Sequence, residues 1–403
     1  MNSKLFLANP RNGKGVFGFR WQVLHGPNSV FLTGTLLLTL TAAPFYVVHE
    51  GLALFQVVLF LLFFVATGLS LTLGYHRLFA HRSFQAAWPV RLFTLIFGAA
   101  AFENSVLCWA ADHRRHHKFV DKDEDPYDIS KGFLYAHIGW ILFRWKPETS
   151  MDYVKDLEPD RLVQWQHRYY YAIAILTSFV LPMALGGIWG GWSGALGSLL
   201  LAGVARIVCV HHMTFFINSL CHSIGRQPYS RLCTARDSAI MALLTFGEGY
   251  HNFHHAFQHD YRNGAKPWQF DPTKWSVWLL NKAGFAWQLR RVPVERIRLA
   301  EICEQQRQLA EKLSERAIPL AESIRVRLHA AQAGLQQAYQ NWESREMEYR
   351  KAVEKQLDIS KEKLAALRRE FQEAKKRVRA AMRDWRETHR LVLAQFTSPA
   401  AAL

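Results

Sequence analysis

The sequence predicts an all-α membrane protein: four transmembrane helices beneath a cytosolic helical cap, followed by a C-terminal long-helix or coiled-coil extension. Three observations point there. Residues 28–217 contain apolar runs of the length a hydrocarbon core demands, about 20 helical residues each. Residues 291–395 are instead dense in Lys, Arg, Glu and Gln, with apolar residues at heptad spacing. Between and after the apolar runs lie four tight groups of histidines. The mean hydropathy of −0.07 therefore averages two unlike parts.

Residues 1–27 read as a cytoplasmic arm carrying Lys4, Arg11, Lys14 and Arg20, and residues 28–290 as one membrane domain. Its expected spans are 29–48, 52–75, 170–189 and 195–217, with Pro44 and Pro182 as kinks that a helix bundle tolerates. The turns "HEG" and "GGWSG" are short and free of Lys and Arg, whereas the arm and residues 76–169 are rich in both. Both termini and that segment are therefore expected on the cytoplasmic face. The run 88–108 is long enough to cross, but Arg91, Glu103 and Asn104 make it costly in lipid. A crossing there would also separate His76 and His81 from His113, His116 and His117, so an interfacial or re-entrant helix is expected. The first apolar run starts near residue 28 and another follows closely, which argues against a cleavable signal peptide.

Residues 291–403 form the charged helical extension. Leu364, Leu367, Phe371, Ala374, Val378, Ala381 and Trp385 recur at alternating steps of three and four. Upstream, Leu335, Tyr339, Trp342 and Tyr349 follow a similar pattern in another register, so a stutter is expected between them. Pro319 is expected to separate a short helix from the long one. The segment reads equally as a coiled coil, able to make a homo-oligomer, or as an amphipathic helix lying on the catalytic domain or the membrane.

The net charge of +16 would suit a nucleic-acid partner, but many of the cations flank the apolar runs, where membrane topology places them. No nucleic-acid partner is expected. The five cysteines (108, 209, 221, 233, 303) show no paired spacing and read as reduced thiols.

Nine of the eighteen histidines make up the groups: His76 and His81; His113, His116 and His117; His222, one turn after Asn218; His251, His254 and His255. Residues at i, i+3 and i+4 share a helical face, so each HxxHH can converge on one point. His76 and His81, five apart, diverge on a continuous α-helix, so a helix break between them is expected. Imidazole suits iron, copper, zinc or nickel, and nine ligands exceed one tetrahedral zinc. Two metals with near-octahedral shells account for them. His25, His49, His167, His211, His212, His259, His329 and His389 lack repeated spacing and read as structural or solvated; His137, in "GFLYAHIGW", reads as a substrate or outer contact.

These residues resemble the three histidine boxes of the membrane fatty acid desaturases, specifically the acyl-CoA Δ9 (stearoyl-CoA-type) branch. The resemblance runs over roughly residues 20–290 and includes, in order, "GYHRLFAHRSF", "WAADHRRHHKFVDKDEDPYD", "KGFLYAHIGW", "NSLCHSIG", "GEGYHNFHHAFQHDYRNG" and "FDPTKWSVW". It implies a di-iron centre held by His76, His81, His113, His116, His117, His222, His251, His254 and His255, with Asn218 acting through a bound water. It also implies O2-dependent insertion of a cis double bond into a saturated acyl-CoA, on the cytoplasmic side of a membrane, a bacterial inner membrane being the expected setting. Asn104, Trp109 and Asp112 match substrate-contacting positions, and Phe60 and Phe64 are the expected end of the acyl tunnel.

The chain departs from that pattern in places. Ala111 stands where a cation is usual, and His211 and Phe215 where tryptophans are usual. The loop after "HIGW" is short and lacks the phosphate-binding cations. Acyl-phospholipid and acyl-carrier-protein substrates therefore stay open, as does a lipid hydroxylase or ketolase on the same scaffold. No HPGG motif of a fused cytochrome b5 occurs, so a separate electron donor is expected: a ferredoxin- or rubredoxin-type reductase, or a cytochrome.

Overall fold

The computed structural model describes residues 24–143, 149–316, 322–354 and 360–397. The basic arm, part of the loop after "HIGW" and Pro319 lie outside the described residues. The chain divides into two compact units between Val292 and Pro293.

The first unit is helical apart from a two-residue antiparallel pair, β1 (Gln85–Ala86) with β2 (Ala286–Trp287), which the all-α expectation did not include. Its main helices are α1 (Gly26–Glu50), α2 (Leu54–Ala80), α3 (Trp88–Ala99), α4 (Val106–Phe119), α5 (Arg161–Arg168), α6 (Tyr170–His222), α7 (His251–Ala256) and α8 (Pro272–Lys282). Three of these, α1, α2 and α6, are long and apolar enough to cross a membrane. Leu40, Leu54, Leu62 and Ile188 stay more than half exposed. So much outward apolar surface is at home in lipid, not water.

At 53 residues α6 is far longer than one crossing requires. It bends where Gly190 (φ −132°, ψ 20°) and Gly191 (φ 58°, ψ −146°) leave helical geometry. Gly191 takes a backbone conformation that a side chain disfavours. Trp189 and Trp192 project outward on either side of the bend, as amphipathic rings do at a membrane interface.

The run 88–108 is not one helix. α3 spans 12 residues, roughly 18 Å, short of the roughly 30 Å hydrocarbon thickness. Phe102 (φ 58°) and Asn104 (φ 80°) then turn the chain into α4. α3 and α2 pack closely, a glycine of each receiving a side chain of the other. A Cβ on Gly98 would fall 2.3 Å from the Tyr75 ring, and one on Gly74 2.5 Å from Thr94. That close approach seals one wall of a core built from Leu71, Tyr75, Phe79, Leu95, Val106 and Ala110, and it brings α2 alongside α4 with their histidines.

The second unit holds α9 (Val294–Arg316), α10 (Glu322–Glu354) and α11 (Lys361–Thr397). The expected heptad residues belong to two helices of one intramolecular bundle, not to one long helix with a stutter. Trp342 of α10 and Ala374, Val378, Met382 and Trp385 of α11 are buried together with Ile302 of α9. Tyr349 stacks on Phe371 at 5.8 Å, and Arg345 pairs with Glu370 at 3.0 Å. The apolar seam is thus consumed within the chain.

Candidate metal centre

α2 reaches the site through an unusual last segment. From Ser70 to Ala80 its hydrogen bonds widen to the i→i+5 pattern, closed by His81 N donating to His76 O at 3.0 Å. Five residues then make about one turn, so His76 and His81 meet edge to face with ring centroids 4.7 Å apart. The helix does end between them, at Ala80 with His81 as its cap, but the wide turn before that end is what brings the two rings together. α4 presents His113, His116 and His117, and the short α7 presents His251, His254 and His255. His222 ends α6 in a 3₁₀ turn.

All nine imidazoles converge, in two groups. His76, His81, His113, His117 and His254 form one; His116, His222, His251 and His255 form the other, ligand atoms within each lying inside 4.8 Å of one another. The Nε2 atoms point inward. Their separations are 3.0 Å for His76–His254, 2.8 Å for His81–His113 and 2.9 Å for His117–His254. In the second group they are 3.1 Å for His222–His251, 3.1 Å for His251–His255 and 3.4 Å for His116–His255. Nitrogens about 2.1 Å from a common ion stand about 3.0 Å apart at neighbouring octahedral positions. The donor set fits metal ions on this spacing.

The outward nitrogens are held as well. His116 Nδ1 meets Asp125 Oδ1 at 2.8 Å, and His222 Nδ1 meets Thr234 Oγ1 at 2.8 Å, with Thr234 donating in turn to Asp121 at 2.6 Å. His76 Nδ1 lies 2.8 Å from Glu248 Oε2, a close ionic approach without a well-aligned hydrogen bond. Partners of this kind fix the tautomer that leaves Nε2 free for a metal. Burial raises the Asp125 carboxyl, but His116 and the Tyr127 and Asp121 N–H groups outweigh it and hold it below the usual range. Burial, then the neighbouring imidazoles, push His81, His113, His117, His251, His254 and His255 well below the ordinary histidine value. Neutral imidazoles are the ligating form.

Residues 52–275 match the family described as "Fatty acid desaturase". The chain belongs to the fatty acid desaturase family. Acyl-CoA desaturase 1 of Saccharomyces cerevisiae is 42% identical over 259 residues, 64% of this chain and 50% of that protein. The probable acyl-CoA desaturase of Schizosaccharomyces pombe is 41% identical over 251 residues, 62% and 52%. Stearoyl-CoA desaturase 2 of Mus musculus is 35% identical over 237 residues, 57% and 65%. The chain spans about half to two thirds of the length of these relatives.

Of the other residues singled out in this desaturase-family sequence, Trp109 stands against the histidines. Its indole stacks on His113 at 4.9 Å and donates to Glu103 Oε2 at 3.3 Å. The rest make their contacts elsewhere. Asn104 Oδ1 accepts from Ser105 N, Asp112 accepts from Thr149, and His137 bridges Ser219 and His212 at 3.0 Å each. Phe60 stacks on Phe64 at 6.0 Å, and Phe64 packs on Phe246 at 5.6 Å. His211 donates to or accepts nothing from the metal groups; its Nε2 lies 2.7 Å from Ala101 O.

Two features went unassigned in the sequence. Arg77 is buried beside His76 and forks between Glu248 and Asp271, at 2.8 and 3.0 Å, while Asn263 donates to Glu248 at 2.6 Å. This ties α2, the segment before α7, and the start of α8 into one polar knot. Glu103 is half-buried as a residue, yet its Oε1 is enclosed without a hydrogen-bond partner. Burial pushes its carboxyl up to about 8 against the weaker pull of Thr214 and Trp109.

Glu103 gives a pH prediction. A folded value near 8 against an unfolded one near 4.5 means the native state binds the extra proton across that window, so stability falls as pH rises through it. Glu103→Gln should flatten this slope and raise the unfolding temperature above neutral pH. Equal pH slopes in the two proteins would refute it.

Proposed function

We propose that the protein is an O2-dependent acyl-CoA desaturase placing a cis double bond, Δ9, in a saturated long chain by means of two iron ions. One observation carries this: nine inward-facing imidazole nitrogens in groups of five and four, in a family whose similar members are named acyl-CoA and stearoyl-CoA desaturases. The overall change is R–CH2–CH2–R′ + O2 + 2e⁻ + 2H⁺ → R–CH=CH–R′ + 2H2O. The irons, when bound, supply O2 activation and hydrogen abstraction. An all-imidazole shell leaves their charge uncompensated, which suits reduction from outside over hydrolysis. His76, His81, His113, His117 and His254 would hold one ion; His116, His222, His251 and His255 the other, with Asn218 completing it through a water.

The protein's own part is placement. Asp125, Thr234 and Glu248 fix the imidazoles, and the indole of Trp109 covers His113 and excludes water from that side. Asn104, Asp112 and His137 are assigned to the substrate on family grounds. The bend at Gly190–Gly191 divides α6 into arms of about 30 and 45 Å, each enough for one crossing. This supports four spans, with both termini and the metal groups on the cytoplasmic side. The separate electron donor has an approach: a groove floored by His81 and His117 is rimmed by Lys118, by Arg290, and by Arg82 and Arg114, the last two paired with Asp156, which leaves a net positive rim suited to an acidic protein.

Phe60 and Phe64, backed by Phe246, are assigned to the end of the acyl tunnel. Phe64→Ala should shift the preferred acyl chain upward by one or more methylene pairs; an unchanged chain-length profile in competition assays would remove that assignment. The function itself is tested by expression in a host lacking the double bond, with isotopically labelled saturated acyl chains supplied. A Δ9 cis-alkene is the expected product. A hydroxylated chain would reassign the protein to the hydroxylases, and unchanged substrate would remove the enzymatic reading.

A further inference from the structure

The excess charge of the second unit is confined to one helix. Residues 293–360 balance eleven Lys and Arg against eleven Asp and Glu, whereas α11 carries eleven against five. On α11 the cations are also ordered. Lys376, Arg379, Arg383, Arg386 and Arg390 follow steps of three, four, three and four, and Arg368 continues the line two turns earlier. That spacing places them on one face. The adjoining face carries Ala374, Val378, Met382 and Trp385, all buried in the bundle. Lys376, Arg368, Arg383 and Arg390 are exposed and Arg386 partly so. Among the described residues Arg368, Arg383, Arg386 and Arg390 have no ion-pair partner, whereas Arg379 is held by Glu295 at 2.7 Å. The stripe from Arg368 to Arg390 runs about 33 Å along a rigid helix, several times the roughly 8 Å screening length at physiological salt.

We propose that this face of α11 is a docking surface for the anionic headgroups of the bilayer that the first unit enters. Charge complementarity selects the partner. A cluster of four to eight cations on an amphipathic helix is the footprint of phosphate-bearing lipid. The stripe itself has no aromatic side chain on which a nucleic-acid base would stack. Covalent linkage to a membrane-embedded unit keeps the headgroups at high effective concentration, so modest attraction suffices. Glu373 offsets Lys376 at 2.8 Å at one point of the stripe; the arginines carry the attraction, which is electrostatic and salt-sensitive.

The test uses the full chain in nanodiscs and measures arginine modification by phenylglyoxal, read residue by residue by mass spectrometry. With about 30% anionic phospholipid, modification of Arg383, Arg386 and Arg390 should slow about fivefold relative to neutral phosphatidylcholine discs, and about 0.5 M NaCl should restore it. Arg325 of α10, exposed in the same unit, should be modified equally in both. Equal rates at the stripe in neutral and anionic discs would overturn the proposal. So would protection that appears only on adding an acidic soluble protein to neutral discs, which would assign the face to a protein.

Discussion

His254→Ala is expected to yield a folded protein that holds one metal equivalent in place of two and has lost at least about a hundredfold in desaturation. His254 is the imidazole most deeply engaged in the five-membered group, its Nε2 lying 3.0 Å from that of His76 and 2.9 Å from that of His117. Its loss opens a shell that the remaining four cannot close, because they are fixed in pairs, His76 and His81 by the end of α2 and His113 and His117 by α4. His255→Ala, one residue on, should instead strip the other group, whose members His116 and His251 stand 3.4 and 3.1 Å away. Metal content by mass spectrometry, alongside product formation, separates the two variants from a merely unfolded protein. If both retain two equivalents, the division into five and four ligands is wrong.

Arg77→Leu should be the most damaging change outside the histidines. Arg77 is 1% exposed and donates to Glu248, Asp271 and the Tyr261 carbonyl. Removing it leaves two buried carboxylates facing each other without a cation, which typically costs about 3–5 kcal/mol. Glu248 would no longer be held against His76, and Asp271 would lose the partner that orients it to cap α8 at Lys274 N. The expected outcome is a large fall in unfolding temperature with loss of metal. Arg77→Lys should rescue only in part, since an ammonium cannot fork between two carboxylates. Near-native stability in Arg77→Leu would show that the knot contributes little.

Much of the site could be read from spacing alone. The two HxxHH groups share a face by helical geometry, but each is divided in the centre: His116 parts from His113 and His117, and His254 from His251 and His255. Two things could not be read that way. His76 and His81 meet through a wide i→i+5 helix, and no apolar period in "SLTLGYHRLFA" announces it. Asp125, Thr234 and Glu248 act through tertiary contacts, so the quoted motifs contained them without revealing which imidazole each would hold.

The membrane part was legible for a different reason. Apolar length marked its runs, and the cost of Arg91 and Glu103 in lipid told against a crossing at 88–108. The C-terminal seam was found but misread. "KQLDIS", between α10 and α11, has neither Gly nor Pro to signal a reversal, so a hairpin looked like a continuous helix with a change of register. Its buried tryptophans, Trp342 and Trp385, now belong to one intramolecular core, while the cations on the outer face of α11 are left facing outward.

The central claim is that nine imidazoles enclose a pair of iron ions. Metal stoichiometry combined with K-edge X-ray absorption on the purified, reduced protein tests it most directly. Two irons per chain, each surrounded by light donors with the scattering pattern of imidazole, is the expected result. A single tetrahedral zinc, sulfur in the coordination shell, or no stoichiometric transition metal would contradict it.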